Sequence, residues 1–205
     1  MLRPLTRSGA LLRGRRLLSS VPTHMRAVVV HDVGGPEVLK LEEAWPVPSL
    51  AAGEVLVKNT YLGLNFIDTY HRGGLYPRDL PFVAGSEGAG EIVALSAEAA
   101  AEGASIGDRV AYQVRSAHSE YTAVPAAKLV PVPSSIGLDV ATAACLQGLT
   151  AHYLVTDAHA GIARPGDWML VHGVGGGTCQ WAAQMARLKG YRVIGTCARG
   201  KEDIA

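Results

Sequence analysis

Gly173-Val174-Gly175-Gly176-Gly177-Thr178 lies between an apolar segment, Trp168 to Val171, and a helix-patterned one, Thr178 to Lys189. The order is strand, glycine turn, helix. Such a turn suits a phosphate, because glycines let the backbone approach the ligand and the free N–H groups of a helix's first turn favour an anion. A second apolar strand, Arg192 to Thr196, follows once Gly190 has ended the helix. The unit reads β-α-β, as a dinucleotide site requires. The last residue is Ala205, ahead of the remaining strands of a doubly wound sheet, so the dinucleotide-binding domain is expected to be incomplete.

With 205 residues, 48% of them hydrophobic, and a formal net charge of +1, the chain is long and apolar enough for a sizeable core. That charge does not suggest nucleic acid as a partner. The N-terminus differs from the rest: Arg3, Arg7, Arg13, Arg15, Arg16 and Arg26 all precede the first acidic residue, Asp32, with leucines interleaved. A basic, acid-free, serine-containing leader over residues 1–24 resembles a mitochondrial presequence, with a disordered tail or a start at Met25 as alternatives. The mitochondrial matrix is therefore the expected location, with the cytoplasm as the other reading. No apolar run approaches the roughly 20 residues that span a bilayer, and no membrane partner is expected. Cys145, Cys179 and Cys197 form no C-x-x-C pair, which argues against a disulfide framework and a structural zinc site.

Upstream of the glycine turn, short strand-like runs alternate with turn residues: Arg26 to His31, Val38 to Leu41, Val55 to Leu62, Gly90 to Leu95, Arg109 to Tyr112, Tyr121 to Val124 and Leu129 to Val130. Frequent short strands with Gly and Pro between them predict a β-barrel-like domain. Asp139 is positioned to cap a helix from Val140 through Val155. The plan is a β-rich domain over residues 25–148 followed by a βαβ portion over 149–205.

The run Asn65-Phe66-Ile67-Asp68-Thr69-Tyr70-His71-Arg72-Gly73-Gly74-Leu75-Tyr76-Pro77 resembles the signature of the zeta-crystallin-like quinone oxidoreductases of the medium-chain dehydrogenase/reductase superfamily. Gly34-Gly35-Pro36-Glu37-Val38-Leu39, Gly107-Asp108-Arg109-Val110 and Gln147-Gly148-Leu149-Thr150-Ala151 support it. The resemblance runs from Met25 to Ala205. It implies a GroES-like barrel followed by a Rossmann domain. Zinc-dependent relatives place a Cys where this chain has Asn65 and a His where it has Ser86, so the resemblance implies no metal. The scattered single histidines supply no ligand set either.

At the end of the second strand, NAD sites usually carry an acid for the ribose 2′-OH. This chain has Ala198, Arg199 and Lys201 there instead, which favours the 2′-phosphate of NADPH. Gly175, Gly176, Gly177 and Thr178 are the candidate pyrophosphate residues. Relatives carry a further glycine, which permits close helix-to-strand packing, where this chain has Cys179; the cysteine costs space there, and the expected effect is weaker dinucleotide affinity.

The resemblance implies hydride transfer from NADPH to a quinone or conjugated enone. It puts Asn65 and Tyr70 on the nicotinamide side, Thr150 near the carboxamide and Tyr76 beside the acceptor, with core packing as the alternative for both tyrosines. Asp68 and Arg72 are expected to form a local ion pair. A form of full family length is expected to be a homodimer. A non-catalytic remnant that binds a partner through its incomplete sheet is the second functional reading.

Overall fold

The computed structural model describes residues 21–203. The expected presequence therefore falls outside the described residues except for its last four positions. The N-terminal part is built from antiparallel strands. β1 (His24–Val30) pairs with β2 (Leu39–Pro46) on one side and the two-residue β4 (Phe82–Val83) on the other. A five-stranded sheet carries β3 (Glu54–Leu62), β5 (Gly88–Leu95), β6 (Arg109–Tyr112), β7 (Tyr121–Pro125) and β8 (Leu129–Pro131) in the order β7-β3-β5-β6-β8.

Alternation dictates which side of that sheet is core. Val55, Val57, Ile92, Val110, Tyr112 and Val124 are buried in one cluster, while their neighbours along each strand point away. Tyr112 keeps its hydroxyl inside by donating to Asn59 Oδ1 at 2.7 Å, and burial pushes its pKa up to about 12. Two short helices attach to the barrel: α1 (Phe66–Arg72) after β3, and α2 (Ala97–Ala101), which Ser96 caps by accepting from Ala99 N at 3.2 Å.

One helical run then leaves the barrel: α3 (Leu138–Ala143), a π-turn (Ala144–Gly148) and α4 (Leu149–Val155). Beyond it come β9 (Trp168–His172), α5 (Gly177–Leu188) and β10 (Arg192–Thr196), with β10 parallel to β9. Ala151 and Val155 of α4 interlock with Ala182 and Ala186 of α5 over Met169 and Val193 of the two strands. Small residues on both helices permit the close approach.

Three expectations change. Asp139 does not cap α3: Gly137 is the N-cap, and the helix starts at Leu138. The Asp139 carboxylate folds back over Gly137, where an added Cβ would meet Asp139 Oδ1 at 2.2 Å. It thus acts in the first turn, where an anion suits the helix dipole. Second, β2 extends to Pro46, well past Leu41, because Glu42 and Glu43 lie on an exposed strand whose polar residues mask its periodicity. The third is the ion pair of α1, taken up with the site.

Candidate functional site

Three elements converge on Asn65. It follows β3 and opens α1, where its backbone N–H donates to Asp68 Oδ2 at 2.9 Å. Asp68 thus closes the helix start in a capping box with Asn65, whose amide also reaches other partners. Its Nδ2 donates to Glu87 Oε1 at 2.7 Å, and its Oδ1 accepts from Gln147 Nε2 at 3.1 Å. The second Glu87 oxygen accepts from the Leu146 backbone N–H at 2.6 Å.

Glu87 is 1% exposed, a buried carboxylate held by two donors with no basic side chain bonded to it. Space for it depends on Gly63, where a Cβ would stand 2.0 Å from Glu87 Oε1. The π-turn supplies the rest. By widening the helix for one turn it offers the Leu146 N–H to Glu87 and the Gln147 amide to Asn65, a use of π-geometry common at functional positions. Cys145, in the same turn, is buried beside this group, and burial first, then the Glu87 charge, pushes its thiol up to about 11.

Asp68 makes no ion pair with Arg72, contrary to expectation. Its Oδ1 accepts from Ser86 Oγ at 2.6 Å, while Arg72 Nε donates to the Gly34 carbonyl at 3.2 Å. The helix start and Ser86 outcompete a partner one turn away. Tyr70 packs edge-on between Phe66 and Tyr76, with ring centroids 5.3 Å from each. Neither tyrosine hydroxyl has a hydrogen-bond partner among the described residues, and Tyr76 is 46% exposed. Thr150 sits at the start of α4 and donates to the Leu146 carbonyl at 2.6 Å. Asn65 and Thr150 thus contact the π-turn, through Gln147 and Leu146, Tyr76 shares a cavity with Leu146, and Tyr70 is joined to the group through the Tyr76 ring.

The glycine turn adjoins them. Gly176 is the N-cap of α5 and carries no side-chain acceptor, so the first N–H groups of that helix have none of its own side chains to bond. Gly173 has φ +68°, and the Gly175 carbonyl accepts from Gln180 Nε2 at 3.1 Å, which shapes the turn. At Gly177 a Cβ would lie 2.0 Å from Gln147 Oε1. One amide therefore touches Asn65 with its nitrogen and rests its oxygen against the first residue of α5. After β10 the chain turns back at Ala198, whose carbonyl accepts from Lys201 N at 3.1 Å. Lys201 comes to the glycine turn, its Cβ 3.8 Å from a Cβ built on Gly175, and Arg199 is exposed beside it. Cys179 is half-buried on the border of a cavity of about 380 Å³.

Residues 51–166 match the alcohol dehydrogenase GroES-like domain. The chain belongs to that family. Among relatives of the GroES-like chain, a quinone oxidoreductase of Pseudomonas aeruginosa is 42% identical over 166 residues, which cover 80% of this chain and 50% of that protein. A mycobacterial quinone oxidoreductase structure superposes with a TM-score of 0.77 at 38% identity, covering 88% of this chain and 55% of that one. The Escherichia coli quinone oxidoreductase complexed with NADPH gives a TM-score of 0.78 at 34% identity, covering 87% and 55%. The chain spans about half the length of the curated relatives it matches. These relatives are oxidoreductases, and none favours the partner-binding reading. The GroES-like barrel followed by part of a Rossmann fold is as the sequence resemblance implied.

Glu87 and Gln147 were not singled out from the sequence, although both lie inside segments that were. A signal existed for Glu87, a lone charge in an otherwise uncharged run from Pro81 to Gly90. Gln147 carried none, since its contacts depend on the π-turn.

Proposed function

We propose that this chain supplies the catalytic domain and the pyrophosphate end of an NADPH-dependent, zinc-independent oxidoreductase acting on a quinone or conjugated enone. The observation that carries the reading is the Gln147 amide, which ties Asn65 at the redox end to Gly177 at the glycine turn. A dinucleotide lies along such a line.

When bound, NADPH would supply a hydride, and the acceptor would take one proton from water to balance it. Gly175, Gly176, Gly177 and Thr178 present backbone N–H groups to the pyrophosphate, which no glycine Cβ obstructs. Lys201 and Arg199 bind the 2′-phosphate. Asn65 and Tyr70 orient the nicotinamide side, with Glu87 holding Asn65 in place, and Thr150 stands at the carboxamide. Tyr76 offers a free hydroxyl to the acceptor oxygen. Positioning of this kind accounts for much of an enzyme's rate.

Independence from zinc rests on donor chemistry. Asn65 and Ser86 bring an amide and a hydroxyl already committed to Glu87, Gln147 and Asp68, and among the described residues no group of three or more His, Cys, Asp or Glu could hold a metal ion. The homodimer and import into mitochondria directed by residues 1–30 belong to the same proposal.

The test uses the chain joined to a relative's C-terminal half. Higher kcat/KM with NADPH than with NADH is expected, and replacing Arg199 and Lys201 by Ala raises KM for NADPH about tenfold while leaving NADH unchanged. Equal or greater efficiency with NADH overturns the cofactor assignment. Stoichiometric zinc, or activity lost to chelators, overturns the metal-free mechanism.

A further inference from the structure

A cavity of about 720 Å³ opens beside the Asn65 network, with Tyr76, Ser86 and Leu146 on its inner wall and Arg115 and Lys128 on its outer one. That volume suits a drug-sized molecule. No acidic residue lines it. The carboxylates behind the inner wall are engaged elsewhere: Asp68 accepts from Ser86 and the Asn65 backbone, and Glu87 from Asn65 and Leu146. Neither Arg115 nor Lys128 makes a salt bridge among the described residues, and both are exposed.

The backbone next to Arg115 is held under strain. Ser116 has φ +67°, the single positive value at a non-glycine position among the described residues. Its carbonyl accepts from Ser119 Oγ at 3.1 Å and Thr122 Oγ1 at 3.4 Å, which pins the turn. Strain maintained in this way is concentrated at functional positions. Behind Arg115 stands a further cation. Arg78 shares a second cavity of about 430 Å³ with it, stacks over Phe82 at 4.1 Å and donates to the Val83 carbonyl at 3.2 Å. Burial, then the Arg115 charge, lowers the Arg78 pKa, and neither guanidinium makes a salt bridge among the described residues.

The geometry points to an acceptor that carries an anionic group, a carboxylate on the substituent of its quinone or enone, bound by Arg115 with Lys128 as second cation. This rests on the oxidoreductase reading above. The reacting ring lies at Tyr76 and Ser86 and the carboxylate reaches the rim, where a guanidinium binds it in a forked geometry and an ammonium as a point charge.

The test is calorimetric titration of the 205-residue chain with 2-methyl-1,4-naphthoquinone bearing a 3-propanoate chain, against its methyl ester. Both reactive ring carbons are substituted, which suppresses addition of the cysteines. The acid is expected to bind about tenfold more tightly than the ester, a preference that 0.5 M salt diminishes. Arg115→Gln removes the preference and leaves ester affinity unchanged, while Arg115→Lys retains part of it. Equal binding of acid and ester, or a preference that survives Arg115→Gln, overturns the proposal and leaves the oxidoreductase reading standing. If neither quinone nor NADPH binds, both fall.

Discussion

Glu87 shows how one buried side chain can join two elements through its hydrogen bonds. A carboxylate 1% exposed is costly to desolvate, and here two donors, Asn65 Nδ2 and Leu146 N–H, compensate. The arrangement aims the Asn65 amide and holds the π-turn against the barrel at once. Its charge also acts on Cys145. That thiol is raised from 9.0 to about 11, chiefly by burial, so the folded chain retains a proton that the unfolded chain releases. The contribution is complete below pH 9 and is lost as pH climbs through about 11. Accordingly, Tm should fall more steeply between pH 9 and 11 in the wild type than in Cys145→Ala, as followed by circular dichroism. Equal slopes would show that folding does not raise the pKa of this thiol.

Among the elements, the glycine turn and its helix were the most legible in the sequence. Strand, turn, helix and strand were expected at Trp168 to Thr196 and stand there, because the glycines, the apolar runs and Gly190 all act locally. The barrel strands were legible wherever one face is buried. β2 was read short because an exposed strand has no alternation to read, and β4 was missed because two residues are too few to show one. The π-turn was illegible, since widening by one residue arises from tertiary partners such as Glu87 and Asn65, not from any propensity of Ala144 to Gly148. Two glycines two positions apart in this turn make opposite predictions. In Gly177→Ala the new Cβ collides with Gln147, separates it from Asn65 and lowers Tm by several degrees, about 1–3 kcal/mol. In Gly175→Ala the Cβ meets nothing nearer than 3.8 Å, so Tm is unchanged while NADPH affinity drops about tenfold or more. Thermal unfolding and a fluorescence titration with NADPH separate the two outcomes.

At the scale of the whole molecule the two halves differ in how fully they are covered. The barrel buries Val29, Val55, Val57 and Val124 completely, whereas the β9–β10 sheet packs Met169, Val171 and Val193 against helices and leaves Leu170 and Ile194, 55% and 50% exposed, paired side by side on its other face. Arg192 lies over Trp168 at 5.6 Å on the same face, a partial cover by a cation. Because those apolar side chains contribute little to folding as they stand, Leu170→Lys with Ile194→Lys should shift Tm by no more than about 2 °C while reducing dye binding and light scattering. A large loss of Tm would mean that this face is packed in solution. Between the halves stands Gln147, and its double contact bears on how such proteins can be recombined. A graft that exchanges the nucleotide-binding half between relatives, with its seam drawn anywhere from Gly148 to Gly176, would divide the Asn65–Gln147 pair from Gly177. Functional hybrids are thus those whose parents agree at three positions far apart in the chain, however different the remainder of the exchanged segment.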